Sequence, residues 1–282
     1  MNSLLRKISE GRVLNIAHRG ARSLAPENTL SAARKALHVG ANLWELDVMM
    51  TADGEPVVIH DKVMNRTSNA KRVFPSRRPW RVHEFSLEEI RFLDFGSWFE
   101  EVDPFGQIAA GVVPKEDLKS FQGERAPSLR EALQFTLAHS WYVNIEVKDL
   151  RGTRGHDEVV GRVVDVIASL QMEDRVLISS FNHGYLEQVK ALNPLIPTGV
   201  LVNRRHLNPV GLIRNLRADA YHPRISSLKA ADIPLMRERG IPILVWVVND
   251  EVRMRDLINK GVNGIFTDFP QLLVPILKSR DE

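Results

Sequence analysis

Short apolar, β-rich runs alternate with amphipathic stretches along most of the chain, and no other feature narrows the possible folds as much. The runs fall at residues 13–18, 43–48, 141–147, 176–180, 198–202, 220–222, 243–248 and 264–267. Apolar spacing of the 3.6-residue type follows them at 28–39, 128–138, 157–170, 185–192, 209–216, 230–239, 251–260 and 272–278. Gly40, Gly240 and Gly261 sit where helices of this kind should end, and Asn193-Pro194 stops another. Strands buried on both faces and joined by helical crossovers imply a parallel sheet. Eight such pairs are the number that closes a (β/α)8 TIM barrel. An open doubly wound sheet would carry a Gly-rich first turn, which is missing here.

One segment breaks the rhythm. Residues 56–60 look like a strand, yet they follow the second run too closely for a parallel crossover, which needs about a dozen residues. The spacing predicts a hairpin with a two-residue turn at Asp53-Gly54. That register pairs Met50 with Val57, Val48 with Ile59 and Asp47 with His60. Glu45, Asp47 and His60 would then share one face, with Asp47 and His60 about 5 Å apart at Cβ. The stretch from about 61 to 125 is too long for a simple connection. It reads as a small insertion over the barrel mouth, with a short helix near 86–93 and the aromatics Trp98, Phe99 and Phe105. A single domain over 1–282, with this insertion, is expected.

In such a barrel the site lies at the C-terminal ends of the strands. The polar residues there are His18-Arg19, Glu45 with Asp47, Glu146 with Lys148, Ser180, His222, Asn249 and Asp268. Glu45, Asp47 and Glu146 are carboxylates inside otherwise apolar strands, and burying several of them unpaired is expensive. One hard divalent cation, Mg2+ or Ca2+, resolves that repulsion. The bland reading, surface ion pairing, would suit Glu45 and Asp47 alone. It suits less well two such segments at adjacent strand ends. No HExxH helix or Cys/His cluster points to zinc. His18 and His60 fall beside the carboxylates and suit proton transfer near neutral pH. The chain's other histidines read as structural. Asp61 follows His60 and is placed to orient it. Arg19 suits bidentate contact with a phosphate and Lys148 supplies a point charge, although both would also pair with the carboxylates. Asn28 or Thr29 reads as a helix cap. Trp246 is either core or an apolar wall for part of a substrate.

The chain has no cysteine, so disulfides, thiolate ligands and a cysteine nucleophile are excluded. A net charge of +3 is too weak to argue for nucleic acid. Residues 62–81 hold seven Lys or Arg (Lys62, Arg66, Lys71, Arg72, Arg77, Arg78, Arg81) and no acid. They form either a solvated loop or a basic rim that attracts an anionic substrate or makes transient contact with a membrane surface. No run is long enough to span a membrane, and the first twelve residues lack a signal-like apolar stretch, so a cytoplasmic protein is expected.

The segments IAHRGARSLAPENTLSAARKAL, WELDVMMTADGEPVVIHD, NIEVK, LISSF, VWVVND and GIFTDFP, with the weaker GSWF and APSLREAL, occur in an order that resembles the glycerophosphodiester phosphodiesterase family. The resemblance spans nearly the whole chain. It implies a TIM barrel with an insertion after the second strand, metal ligation by Glu45, Asp47 and Glu146, and His18 and His60 as the acid/base pair. It also implies that Arg19 and Lys148 lie near the phosphate and that Trp246 stacks near the glycerol or the leaving alcohol. The expected reaction is hydrolysis of a glycerophosphodiester to glycerol 3-phosphate and an alcohol such as choline or ethanolamine. Either water or the adjacent 2-hydroxyl of glycerol, through a cyclic phosphate, would attack. The competing expectations are a lysophospholipase D on the same scaffold, a metal-independent phospholipase C of related architecture, and a non-catalytic barrel that binds phosphorylated ligands. The retained carboxylates argue against the second, and the retained histidines argue against the third.

Overall fold

The computed structural model describes residues 2–279. Its strands are β1 (Leu14–Ala17), β2 (Leu43–Met50), β3 (Pro56–Val58), β4 (Val143–Val147), β5 (Val176–Ser180), β6 (Thr198–Val202), β7 (Ala220–Pro223), β8 (Leu244–Val245) and β9 (Gly264–Thr267). All but β3 run parallel, in the order β7-β6-β5-β4-β2-β1-β9-β8. Bridges between Tyr221 and Ile243 and between Arg224 and Trp246 bring β7 against β8. The result is the expected barrel of eight parallel strands, nearly closed.

Helices Leu30–His38, Leu129–Ala138, Val159–Ser169, His183–Leu192, Pro209–Asn215, Asp232–Glu238, Glu251–Lys260 and Pro270–Lys278 cover the strands, close to the expected positions. Helix Val159–Ser169 shows why packing rather than propensity decides. It holds five valines and Gly161, all poor helix formers. Yet Val159, Val160, Val163, Val164 and Ile167 make one buried stripe. Each such side chain removed from water contributes about 1.5–3 kcal/mol.

Leu14, Ile16, Leu43, Leu177, Ala220, Leu244 and Phe266 fill the lower barrel interior. Below them lies helix Ser3–Ser9, capped by Asn2 and unexpected from the sequence, because seven residues hold too few turns to show a stripe. Its Leu4 and Ile8 are fully buried in the same cluster and close the barrel floor.

The hairpin exists, but its register is one residue from that expected. Val48 pairs with Val58, Met49 with Val57 and Met50 with Pro56. The cause is the turn. Thr51 N donates to Glu55 O at 3.1 Å, so three residues, Ala52, Asp53 and Gly54, make the loop, with Gly54 at φ 78°. A left-handed glycine in the third place is the usual closure for a three-residue hairpin. Asp47 therefore faces Ile59, whose N donates to Asp47 O at 3.0 Å, and does not pair with His60. Because β3 ends at Val58, His60 lies beyond the ladder, and the bend that follows aims its side chain.

The insertion carries several short helical segments, including Leu87–Arg91 where a helix was expected. Its Met64, Phe85, Ile90 and Phe99 are buried and continuous with the core outside the barrel. Of the expected 1–282 unit, residue 1 and residues 280–282 lie outside the described residues.

Candidate active site

His18 and Arg19 follow β1, Glu45 and Asp47 lie within β2, and Glu146 and Lys148 lie at the end of β4. His18, Arg19, Glu45, His60, Glu146 and Lys148 all line one cavity of about 200 Å³ at the C-terminal mouth. Its other side is largely apolar, built from Phe181, Leu201, Trp246 and Phe266. Asp47 is fully buried behind Arg19 and Lys148 and does not line the cavity.

Glu45, Asp47 and Glu146 each offer an oxygen within 4.8 Å of the others. Glu45 Oε2 accepts from Arg19 N at 2.8 Å, while its Oε1 is buried with no partner. Burial, then Asp47 and Glu146, push the Glu45 carboxyl well above the usual range. Burial also works against the Asp47 anion, but Lys148 and Arg19 outweigh it and hold that carboxyl far below its usual value. Lys148 Nζ lies 2.5 Å from Glu146 Oε1 and 3.2 Å from Asp47 Oδ1. Burial opposes its charge, and the two carboxylates more than restore it. A buried carboxylate with an orphaned oxygen, gathered with two further carboxylates, is a donor set that fits a hard cation.

The two histidines are held alike. His18 Nδ1 lies 2.7 Å from Asp268 Oδ1, and His60 Nδ1 lies 2.6 Å from Asp61 Oδ1. Burial alone would raise Asp268, yet His18 and Arg22 hold it down at about 2. Burial likewise opposes the Asp61 anion, but hydrogen bonds from His60 and Arg66 keep it well below its usual range. Both carboxylates are therefore anionic acceptors set against an imidazole Nδ1. Burial, then Arg19, lowers the pKa of His18.

Asn28 and Thr29 divide the work expected of a single cap. Thr29 caps helix Leu30–His38 by accepting from Ala32 N. Asn28, at φ 59°, instead holds Asp47, donating Nδ2 to Oδ2 at 2.9 Å and accepting from Asp47 N at 3.2 Å. Arg19 is also left-handed, at φ 55°, and in that conformation its N–H donates to Glu45. Strain of about 1–3 kcal/mol per residue persists only where surrounding contacts over-determine it. Trp246 is a wall of the cavity, set edge-on to Phe181 at 5.5 Å, and its Nε1 donates to His222 O at 2.8 Å. His222 itself lies below the site, fully buried, and burial lowers its pKa to about 3.

The roles of Asp268, Glu27 and Arg66 were not legible in the sequence. Asp268 stands at a strand end, and only closure of the ring brings β9 beside β1. Three of the seven basic residues of 62–81 are paired with acids: Arg66 with Glu27 and Asp61, Arg77 with Glu89, and Arg81 with Glu84.

Carboxylates gathered as for a cation, two imidazoles anchored through Nδ1 and two cationic side chains, around one cavity at the mouth of a parallel barrel, make a phosphoryl-transfer site. Residues 18–272 match the model of the glycerophosphoryl diester phosphodiesterase family. A glycerophosphodiester phosphodiesterase of Caldanaerobacter subterraneus subsp. tengcongensis is 32% identical over 267 residues, covering 95% of this chain and 98% of its own. A glycerophosphodiester phosphodiesterase of Bacillus altitudinis is 34% identical over 265 residues, covering 92% and 96%. Among solved structures, an Oleispira antarctica phosphodiesterase in complex with the product sn-glycerol-3-phosphate superposes with a TM-score of 0.79 at 28% identity, covering 93% of this chain and 96% of that one. The chain belongs to the glycerophosphoryl diester phosphodiesterase family, and it is a phosphoric diester hydrolase acting on glycerophosphodiesters.

Proposed function

We propose that the chain hydrolyses glycerophosphodiesters to glycerol 3-phosphate and an alcohol, with His18 and His60 as the acid/base pair and Glu45, Asp47 and Glu146 as ligands of one divalent cation, Mg2+ or Ca2+. The observation that carries this reading is the orphaned Oε1 of Glu45, gathered with Glu146 and the deeper Asp47 beside the cavity that both histidines line. When bound, the cation supplies Lewis-acid polarisation of a phosphoryl oxygen.

The chain's own groups supply the rest. Arg19 and Lys148 line the cavity and neutralise charge that develops on the phosphate. One imidazole takes the proton of the attacking hydroxyl at Nε2, and the other gives one to the departing alcohol. Asp268 and Asp61 keep both Nδ1 atoms out of that exchange. Trp246, Phe181 and Leu201 form a wall against which the carbon skeleton packs. Residues 61–125 would serve as an accessory segment of a single catalytic unit. No helix among the described residues is long and apolar enough to cross a membrane, which is compatible with action in the cytoplasm on small diesters.

A lysophospholipase D reading keeps one supporting observation. Phe181 lines the cavity and is 39% exposed, so an acyl chain could run over it toward solvent.

The test is release of glycerol 3-phosphate from glycerophosphocholine by purified protein, in EDTA and after return of Mg2+ or Ca2+. Activity should stop on chelation. A full rate after exhaustive chelation refutes the metal role. His60→Ala should lower kcat by about 10²–10⁴-fold, and a change confined to KM would make His60 a binding residue instead.

A further inference from the structure

Glu27 precedes the first barrel helix, is 6% exposed and does not line the cavity. It nevertheless receives three guanidinium groups, two from the loop after β1 and one from the insertion. Arg19 Nη1 lies 2.8 Å from Oε1 and Arg22 Nη2 2.9 Å from Oε2. Arg66 makes a fork, with Nη2 2.6 Å from Oε1 and Nη1 3.1 Å from Oε2. The same Arg66 donates Nε to Asp61 Oδ2 at 2.6 Å, and the other oxygen of Asp61 holds His60 Nδ1. On the opposite side, Arg22 Nη1 lies 3.6 Å from Asp268 Oδ1, the oxygen that holds His18 Nδ1. One continuous chain of charged groups thus links the backs of both imidazoles and passes through Glu27.

We propose that Arg66 and Glu27 are positioning residues, which fix the ring of His60 by locking the Asp61 carboxylate between the hairpin and the insertion. The inference rests on the reading of His60 as a proton-transfer group. Arg66 comes from the insertion, where the Trp98 ring lies 5.9 Å below its guanidinium. The insertion therefore reaches the reaction through an ion-pair chain. A planar fork is required, because one side chain has to meet two carboxylates in fixed directions, and a lysine ammonium supplies no such geometry. Glu27, Asp61 and Asp268 face Arg19, Arg22 and Arg66, so each of these carboxylates has at least one guanidinium partner. Asp61 without Arg66 would still accept from His60, but nothing would hold it in one rotamer.

The experiment is a double-mutant cycle on kcat for glycerophosphocholine, with Arg66→Ala, Arg66→Lys and His60→Ala. Coupled residues depart from additivity. Arg66→Ala should lower kcat about 10–100-fold with KM within about 3-fold, the scale of a misplacement of roughly 1 Å. In the His60→Ala background the same change should cost less than about 3-fold, because the group it positions is gone. Arg66→Lys should keep most of the loss and will fold, since charge and bulk remain at a site that is 42% exposed. An equal factor in both backgrounds, or full activity in Arg66→Lys, would overturn the positioning role. A His60→Ala enzyme with wild-type kcat would instead overturn the reading of His60 itself.

Discussion

Replacing Glu45 by Gln should make the metal-free protein more stable and the metal-loaded protein less stable. Glu45 is 2% exposed, and its oxygen shares a 4.8 Å neighbourhood with those of Asp47 and Glu146. At an effective dielectric near 20, two unit charges at that separation repel by about 3–4 kcal/mol. Arg19, through its backbone N–H and its guanidinium, offsets part of this for Glu45, while Oε1 has no partner at all. Gln keeps the shape and the Arg19 contact and loses the repulsion, so a gain of about 1–3 kcal/mol is expected in EDTA, or roughly 2–6 °C in Tm for a chain of this size. With cation at 100 times its Kd, the wild type should gain about 2.7 kcal/mol. The variant, one anionic ligand short, should gain less than about 1 kcal/mol, and the order of stability should invert. The assay is thermal unfolding of both proteins in EDTA and in excess Mg2+ or Ca2+. A variant destabilised in EDTA by more than about 1 kcal/mol, or an equal Tm rise in both proteins on adding metal, would refute the reasoning.

Further outcomes follow from the ion-pair hub, the floor and the second anchored histidine. Burial opposes the Glu27 anion, yet its three arginines hold its pKa at about 2. A lowered carboxyl stabilises the fold above its unfolded value of about 4.5, and this is lost as pH falls toward 2, a difference of about 3 kcal/mol. The gap in unfolding free energy between wild type and Glu27→Gln should therefore be wide at pH 6 and shrink by pH 3. A gap constant with pH would count against the hub as an ionic structure. Ile8→Ala should cost about 2–5 kcal/mol in chemical denaturation while KM is unchanged, and a shift in KM would show that the floor communicates with the site. Asp268→Asn should lower kcat by at least about 10²-fold without loss of substrate affinity, since the His18 tautomer is no longer imposed, and a purely KM effect would deny Asp268 that role.

The barrel was legible because its signal is redundant. Eight apolar runs with polar residues at their ends survive an error of two residues at any boundary, as where the helix expected from 185 starts at His183. Glu45, Asp47 and Glu146 were legible for the same reason, being acids where the pattern demands apolar side chains. The hairpin register was not, because an Asp-Gly pair fits both a two-residue and a three-residue loop, and the difference lies in the backbone of Ala52. Nor were the partners of His18 and Glu27. Asp268 is 250 residues from His18, and Arg66 is 39 from Glu27, so each pairing exists only after the ring closes or the insertion folds back. A count of charges along 62–81 also leaves out acids that arrive from other segments, as Glu27 does at Arg66.

The helix under the barrel makes its interior a blind pit: with Leu4 and Ile8 seated in the floor, the described residues leave the cavity at the C-terminal mouth as the way in and out for a ligand. On the proposed reaction, the fragment nearer the half-exposed Phe181 should depart first, and the fragment nearer Arg19 and Lys148 last. That deeper fragment should bind the free enzyme and compete with fresh substrate, so a stalk of seven residues at the far end of the molecule sets which product inhibits the reaction.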